Sequence, residues 1–446
     1  MTKESYKPIN KKSLTQQVNE SFGDLHQPLN QQQALEESDR CLYCYDAPCI
    51  QACPTSIDIP TFIHQIRSDN TKGAGLTILS ENIMGGTCAR VCPTEVLCEQ
   101  VCVLNVSHQQ PVEIGLLQRH AVDTLLNISN KYPFNRAKSS GKNIAVIGAG
   151  PAGLSCAHRL VMLGHEVTVY ESKEKAGGLN EYGLAQYKMV DDFAQKEVAF
   201  IQKIGSITIK NKQKLGENIL LQSLQEKYDA VFIGVGLGKT YLLGLAKETA
   251  EGVYDAVDFI EEIRRAQDKS KVNVGNDVIV IGAGNTAIDA AIQAKRLGAQ
   301  NVTLVYRRGE QHMSATTYEI ELARKNGVNI KTWLAPSALI ADKHITQVEF
   351  TKTDLRDGKL IETIFKETLE CDMLLKAIGQ KLNTSALEDI QIEQGKIKVD
   401  ENYQTSLSGV YAGGDAIKSG EDLTVQAVED GKQAAHSIDK HLRGEK

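Results

Sequence analysis

No stretch of this chain approaches the roughly 18 uninterrupted apolar residues that a membrane-spanning helix needs, so no span is expected. The N-terminus, MTKESYKPINKKSL, lacks the apolar centre of a secretory signal. The expected compartment is therefore the cytoplasm. Basic charge is not in excess: 50 Lys and Arg stand against 56 Asp and Glu, a net charge of -6, which argues against a nucleic-acid partner. Cysteine is nearly absent from most of the chain, with only Cys156 and Cys371 outside residues 41–102. These two are isolated, so no redox-active CxxC pair is available to the later part of the sequence. Each reads as a small buried hydrophobe.

What is present is concentrated in short motifs. The 446 residues suit several domains, and the 36 glycines cluster at the ends of apolar runs. Residues 1–35 are polar and read as an arm leading into a helix. Residues 36–130 hold eight cysteines between helical stretches; IPTFIHQIRS and GLLQRHAVDTLLNIS space apolar residues three and four apart, as a helix face does. NKYPFNRAKSSGKN reads as a linker. After it NIAVIGAG, SCAHRLVMLG and EVTVYE form strand, helix and strand, a βαβ unit. DVIVIGAG, NTAIDAAIQAKRLG and NVTLVYRR repeat the pattern. The expected class is α/β: a helical cysteine-bearing domain (36–130), a discontinuous Rossmann-like domain (131–255 and 380–446) and a second Rossmann-like domain (256–379).

Gly148-Ala149-Gly150-Pro151-Ala152-Gly153 is a GxGxxG turn between strand and helix. Its glycines allow a tight turn, close approach of a pyrophosphate and tight helix–strand packing, and the phosphate sits on free N–H groups at the helix N-terminus. Glu171 ends the next strand, where an acid bonds a ribose hydroxyl. Gly177-Gly178-Leu179 follows. A glycine turn that binds nothing is the bland alternative, and the agreement of strand, helix and acid weighs against it. Gly413-Gly414-Asp415, after the strand GVYA, points to FAD as the dinucleotide; alone it would be an ordinary turn.

The second fingerprint is Gly282-Ala283-Gly284-Asn285-Thr286-Ala287. Its following strand ends on Arg307 and Arg308 with no acid, which removes the 2′-hydroxyl acceptor and suits a 2′-phosphate. That leans toward NADPH, although an Arg pair at a strand end is also an ordinary solvated feature. Lys188 and the run Ala377-Ile378-Gly379 complete the expected cofactor-binding set. A nicotinamide beside a flavin needs orientation and exclusion of side reactions more than an acid or base, so no catalytic side chain is assigned.

The cysteines read Cys41-x2-Cys44-x4-Cys49-x3-Cys53-Pro and Cys88-x3-Cys92-Pro-x4-Cys98-x3-Cys102. Eight thiolates could hold two four-iron clusters, and Cys-Pro steps occur in bacterial ferredoxins, with different spacing. Zinc also uses CxxC pairs but is redox-silent and would leave a flavin without an outlet. Iron–sulfur is favoured, zinc is second and free thiols are last.

The runs CLYCYDAPCIQACPTSIDIPTFI, GTCARVCPTEVLCEQVC and IGLLQRHAVD resemble dihydropyrimidine dehydrogenase, and the resemblance continues through GAGPAGLSCA, FIGVGLGK, GAGNTAIDAA, VYRRGE and GVYAGGD. It covers nearly the whole chain from about residue 36. The chain stops where the long enzyme's pyrimidine-reducing barrel would start, as a separate bacterial electron-input subunit does. The resemblance implies two [4Fe-4S] clusters, one on Cys41, Cys44, Cys49 and Cys102, the other on Cys53, Cys92, Cys98 and Gln118, leaving Cys88 spare. It also implies a PreA-like partner subunit, holding FMN and further clusters, that reduces uracil or thymine. The glutamate synthase small subunit shares the architecture and is the alternative, but tends to carry glutamate in place of Gln118. A non-catalytic scaffold is a third reading. The pyrimidine enzyme carries a further arginine past the basic pair; GEQHMSATTYE has none, with Ser314 near that place, so NADH and NADPH both stay open.

Overall fold

The computed structural model describes residues 13–107, 109–128 and 132–445. The first twelve residues of the expected arm, and residues 130 and 131 of the expected linker, lie outside the described residues, as do 108, 129 and 446. The chain divides into two compact units. One holds the described residues through Leu25, Ala185–Tyr187 and Leu242–Ile378; the other holds His26–Leu184, Lys188–Tyr241 and Gly379–Lys446.

The larger unit is built on a parallel five-stranded sheet in the order Val410–Ala412, Ala230–Ile233, Asn143–Ile147, Glu166–Tyr170, Ile207–Lys210. The strands are short and apolar because a parallel sheet is covered on both faces; Ile144 through Ile147 are buried. Pro151–Met162 follows the central strand and packs against Thr424–Arg443. Their approach is close enough that a Cβ on Gly431 would stand 2.1 Å from the Ala152 carbonyl oxygen. Ser155 Oγ donates to the Val428 carbonyl across the same contact at 2.6 Å. The tail thereby returns to the first glycine-rich turn.

The cysteine-bearing region belongs to this unit. Its helices Gln31–Ser38, Ile59–Arg67, Thr71–Glu81, Gly85–Val91 and Ile114–Ile128 pack around Phe62, Ile63, Ile66, Ile78, Leu117 and Leu125. In Ile59–Arg67 the buried residues Ile59, Phe62, Ile63 and Ile66 follow helical spacing, and Asp58 caps the helix by accepting from the Thr61 N–H at 3.1 Å. That core is continuous with Ile144 and Val146 of the sheet, so the helices and the first nucleotide fold share one apolar interior.

The smaller unit has its own parallel sheet, in the order Val253–Asp255, Met373–Ala377, Asp277–Gly282, Asn301–Tyr306, Asn329–Thr332, followed by an antiparallel sheet of Leu334–Ala341, Ile345–Arg356 and Lys359–Glu370. The helix Leu14–Ser21, inside the stretch expected to be a polar arm, also belongs to it. Val18 and Phe22 are buried with Phe259 and Ile288, and Arg296 donates to the Ser21 carbonyl at 2.8 Å. Two apolar residues in a polar run were too few to mark this segment as docked. Two Rossmann-like folds and a helical cysteine-bearing region make the expected α/β class. Among the described residues, no helix is long and apolar enough to cross a membrane.

Candidate cofactor sites and cluster ligands

The first glycine-rich turn is shaped by contacts that exclude any side chain. A Cβ on Gly153 would stand 1.9 Å from the Gly148 carbonyl oxygen, backbone against backbone. Gly178, at φ +57, approaches Gly150 so closely that its Cβ would meet the Gly150 Cα at 2.7 Å. The Gly177 N–H donates to the Ala149 carbonyl at 2.7 Å, tying the Gly178-Leu179 segment to the turn. Pro151 opens the helix, where its missing N–H costs nothing. Glu171 is buried and accepts from the Ala149 N–H at 2.8 Å and the Lys173 N–H at 2.7 Å. Lys188 is buried in the same unit.

The Gly413-Gly414-Asp415 turn is held from below by Asp430, which accepts from the Gly414 N–H at 3.0 Å and from Gln426 Nε2 at 2.8 Å. Burial, with Asp422 adding repulsion, pushes the Asp415 carboxyl up to about 6, against the Leu237 N–H that it accepts. Among the described residues it has no ion-pair partner. A buried acid of this kind fits a ligand hydroxyl better than a structural ion pair. The closely packed glycines and this acid fit a flavin dinucleotide.

In the second fold, a Cβ on Gly282 would stand 2.2 Å from the Ala377 carbonyl oxygen. Gly284 caps the helix Asn285–Leu297, which carries Asn285, Thr286 and Ala287 in its first turn. The Ala315 N–H donates to the Ala283 carbonyl at 2.9 Å, and Ser314 Oγ lies 3.3 Å from where a Cβ on Gly284 would be. Arg307 and Arg308 leave the strand Asn301–Tyr306 on a fixed backbone. The Arg307 carbonyl accepts from Thr353 Oγ1 at 2.7 Å, and the Arg308 carbonyl accepts from the Trp333 N–H at 3.1 Å. Neither guanidinium has an ion-pair partner among the described residues, and Arg307 is exposed. Ala377 and Ile378 fall in this unit and Gly379 in the other. An Arg307→Ala variant should raise KM for NADPH about tenfold, the loss of about 1.4 kcal/mol of charge-assisted hydrogen bonding, and KM for NADH less than about twofold. Steady-state kinetics with both coenzymes checks this.

Among the described residues no cysteine is joined in a disulfide. The charges of Cys44 and Cys102 add to burial in pushing the Cys41 thiol up. Burial, with Cys41 and Cys102 alongside, pushes Cys49 up to about 11. A second set gathers around Cys92. A hydrogen bond with the Cys88 thiol, then burial, then the nearby Cys98 and Cys53 thiols hold Cys92 far above the ordinary range. Burial dominates at Cys98, with Glu99, Cys53 and Cys49 adding, and raises it beyond Cys49. Cys41 thus has Cys44 and Cys102 near it, and Cys92 has Cys88, Cys98 and Cys53 near it, so Cys88, expected to be spare, lies beside Cys92. Among the described residues, no group of three or more His, Cys, Asp or Glu is drawn tightly enough to grip one ion. Gathered thiolates are the soft donors that iron–sulfur clusters take.

Gln118 lies on Ile114–Ile128, buried against Gly85–Val91, the helix that leads to Cys92. Its Nε2 donates to the Gly85 carbonyl at 2.7 Å. That fixes the amide and leaves Oε1, the end able to ligate, without a hydrogen bond among the described residues.

Sequence reasoning passed over Glu197. This residue of Phe193–Gln202 is 1% exposed. One carboxylate oxygen accepts from the Gly86 and Thr87 N–H groups at 3.0 Å each; the other accepts from Thr87 Oγ1. Arg90, on the same cysteine helix, stacks 3.5 Å over Phe193 and pairs with both Asp123 oxygens at 2.8 and 2.9 Å. On the other side Lys432 donates to the Thr55 carbonyl at 3.2 Å, two residues past Cys53.

Known proteins align with this division. Residues 142–431 match the family described as pyridine nucleotide-disulphide oxidoreductase, and residues 18–129 match that described as dihydropyrimidine dehydrogenase domain II, 4Fe-4S cluster. The NAD-dependent dihydropyrimidine dehydrogenase subunit PreT of Escherichia coli K12 is 36% identical over 411 residues, 92% of this chain and 95% of that protein. The Salmonella typhimurium subunit of the same name is 35% identical over 409 residues, 92% and 94% of the two chains. Among solved structures, Mycobacterium tuberculosis FprA in complex with NADPH superposes with a TM-score of 0.59 at 18% identity, over 68% of this chain and 85% of that one. Thermoplasma acidophilum thioredoxin reductase gives 0.53 at 20%, over 67% and 99%. The chain belongs to the PreT family of dihydropyrimidine dehydrogenase subunits, with a pyridine-nucleotide oxidoreductase region and a 4Fe-4S domain.

Proposed function

We propose that this chain is an electron-input subunit that oxidises NAD(P)H at FAD and passes electrons through two [4Fe-4S] clusters to a PreA-like partner, which reduces uracil or thymine to the 5,6-dihydropyrimidine. A flavin bound there would supply hydride acceptance and single-electron release. The chain's own residues hold and orient. The N-terminus of Pro151–Met162 carries the flavin pyrophosphate, Glu171 the ribose, and Asp415 the ribityl side. The N-terminus of Asn285–Leu297 carries the coenzyme pyrophosphate. Cys53, Cys92, Cys98 and Gln118 hold the inner cluster; Cys41, Cys44, Cys49 and Cys102 hold the outer one.

The observation that carries this reading is the polarity of the cysteine region. The helix bearing Cys88 and leading to Cys92 is clamped to the first nucleotide fold by Glu197, and the segment after Cys53 by Lys432. The residues flanking Cys41, Cys44 and Cys102 are instead exposed: Leu42, Tyr45, Val101 and Val103. These contacts support a reading in which the ligands near Cys53 and Cys92 lie toward the flavin fold and those near Cys41, Cys44 and Cys102 face outward, as an exit route requires.

The test is an anaerobic titration of the reconstituted protein with NADH and with NADPH, followed by absorbance and EPR. Flavin bleaching and two distinct reduced-cluster signals are expected. A flavin that neither coenzyme bleaches, or a single cluster signal, would remove the proposal.

A further inference from the structure

The outward quartet is surrounded by apolar side chains left bare by the chain's own packing. Leu42 follows Cys41, Tyr45 follows Cys44, and Val101 and Val103 flank Cys102. Arg40 donates to the Pro111 carbonyl at 3.1 Å, which holds the segment of Leu42 and Tyr45 against the one that follows the Val101–Val106 run. Tyr45 is fully exposed, and Val106, four residues past Cys102, is 83% exposed. Single exposed hydrophobics are normal on any surface. Here, however, six of the fifteen large ones among the described residues fall between Leu42 and Val106, a small fraction of the chain, and that concentration marks an interaction face.

Its charge points to the occupant. Residues 36–113 carry ten Asp and Glu against four Lys and Arg. Three of those four bases are already engaged: Arg40 with Glu37, Arg67 with Asp39, and Arg90 with Asp123. Asp46, beside Tyr45, and Glu95, beside Val96, have no ion-pair partner among the described residues. Exposed apolar side chains and acids without an ion-pair partner thus stand next to one another along these segments. A complementary surface has an apolar recess rimmed by Lys and Arg.

We propose that Leu42, Tyr45, Val101, Val103 and Val106 form the docking surface for the electron-accepting partner subunit, which meets them with a basic-rimmed apolar recess. This rests on the exit route proposed above, and it adds which surface is used and what charge the partner presents.

Tyr45→Lys and Val106→Lys variants of the full holo-chain test it, since neither residue is a cluster ligand or part of a nucleotide site. Ferricyanide reduction by NADH or NADPH reads the chain's internal chemistry without docking. Binding to a separately purified FMN- and iron–sulfur-containing pyrimidine-reducing subunit, followed by sedimentation, reads docking. Each variant should keep ferricyanide activity within about twofold and weaken the complex about tenfold or more. Wild-type affinity should fall as salt is raised from low to physiological strength, because screening weakens the rim. Unchanged affinity in both variants, or no wild-type complex at any salt, overturns the docking surface while ferricyanide activity leaves the electron-input reading standing. Loss of ferricyanide reduction in the wild type would instead strike the electron-input reading itself.

Discussion

A Gly153→Ala chain is expected to purify without flavin, whereas a Gly282→Ala chain is expected to keep its flavin and fail to bleach it with either coenzyme. The first substitution puts a methyl 1.9 Å from the Gly148 carbonyl oxygen. Both partners are backbone, so no side chain can swing aside, and relief requires the turn to open. Opening it moves the N-terminus of Pro151–Met162, the group of N–H donors the pyrophosphate needs. Overpacking of this kind costs about 1–3 kcal/mol, and here it falls on the binding loop itself. Gly282→Ala has the same defect in the other unit: its methyl would meet the Ala377 carbonyl at 2.2 Å, at a φ of +149. The two variants therefore separate the nucleotide sites. Flavin content is read from visible absorbance, and dithionite should still reduce the flavin of the Gly282→Ala chain. Flavin loss in that chain with retention in Gly153→Ala would reverse which fold holds which dinucleotide.

Both turns were legible in the sequence because a glycine fingerprint is local: strand, turn and helix lie within a few residues and each restricts the others. The cysteine region was legible only in part. Cys41, Cys44 and Cys49 lie close in sequence, but only the resemblance linked Cys102 to them, since that approach depends on the packing of five helices, which no local pattern encodes. Gln118 reads as an ordinary helical amide, and only the family resemblance raised it; the structure then gave it a fixed orientation against Gly85. Cys88 seemed spare by that resemblance, yet its thiol hydrogen-bonds Cys92 because the two sit one turn apart around Gly85–Val91. Arg307 and Arg308 were visible, but the contacts that fix their backbone come from well beyond them, from Trp333 between two strands and Thr353 within a third. Glu197 was invisible for a different reason. In FAQKEVAFIQ it looks like a solvated acid on an amphipathic helix, and its burial exists only because the cysteine helix packs over it.

Glu197→Ala is expected to release the inner cluster while FAD stays bound. Truncation leaves the Gly86 and Thr87 N–H groups and the Thr87 hydroxyl buried without an acceptor, and leaves Arg90 facing Asp123 alone. Removing one member of such a buried charged network costs about 3–5 kcal/mol. The loss falls on Gly85–Val91, which leads to Cys92 and supplies the carbonyl that fixes Gln118. The flavin turn makes no contact with that carboxylate, so its ligand should survive. Glu197→Gln separates packing from charge. Burial, opposed by the Thr87 and Gly86 donors and by Arg90, pushes the carboxyl up to about 7 from an ordinary 4.5. The folded chain therefore binds an extra proton between those values. Glu197 favours folding most below pH about 4.5, and its contribution falls by about 3 kcal/mol as pH rises to about 7. Glutamine keeps an oxygen for the two N–H donors and does not titrate. Urea melts from pH 5 to 8 should show a shallower loss of stability with rising pH in Glu197→Gln than in the wild type, with both clusters present by EPR. If glutamine and alanine shed the cluster alike, the carboxylate's charge and not its hydrogen-bond acceptors holds the cysteine helix in place.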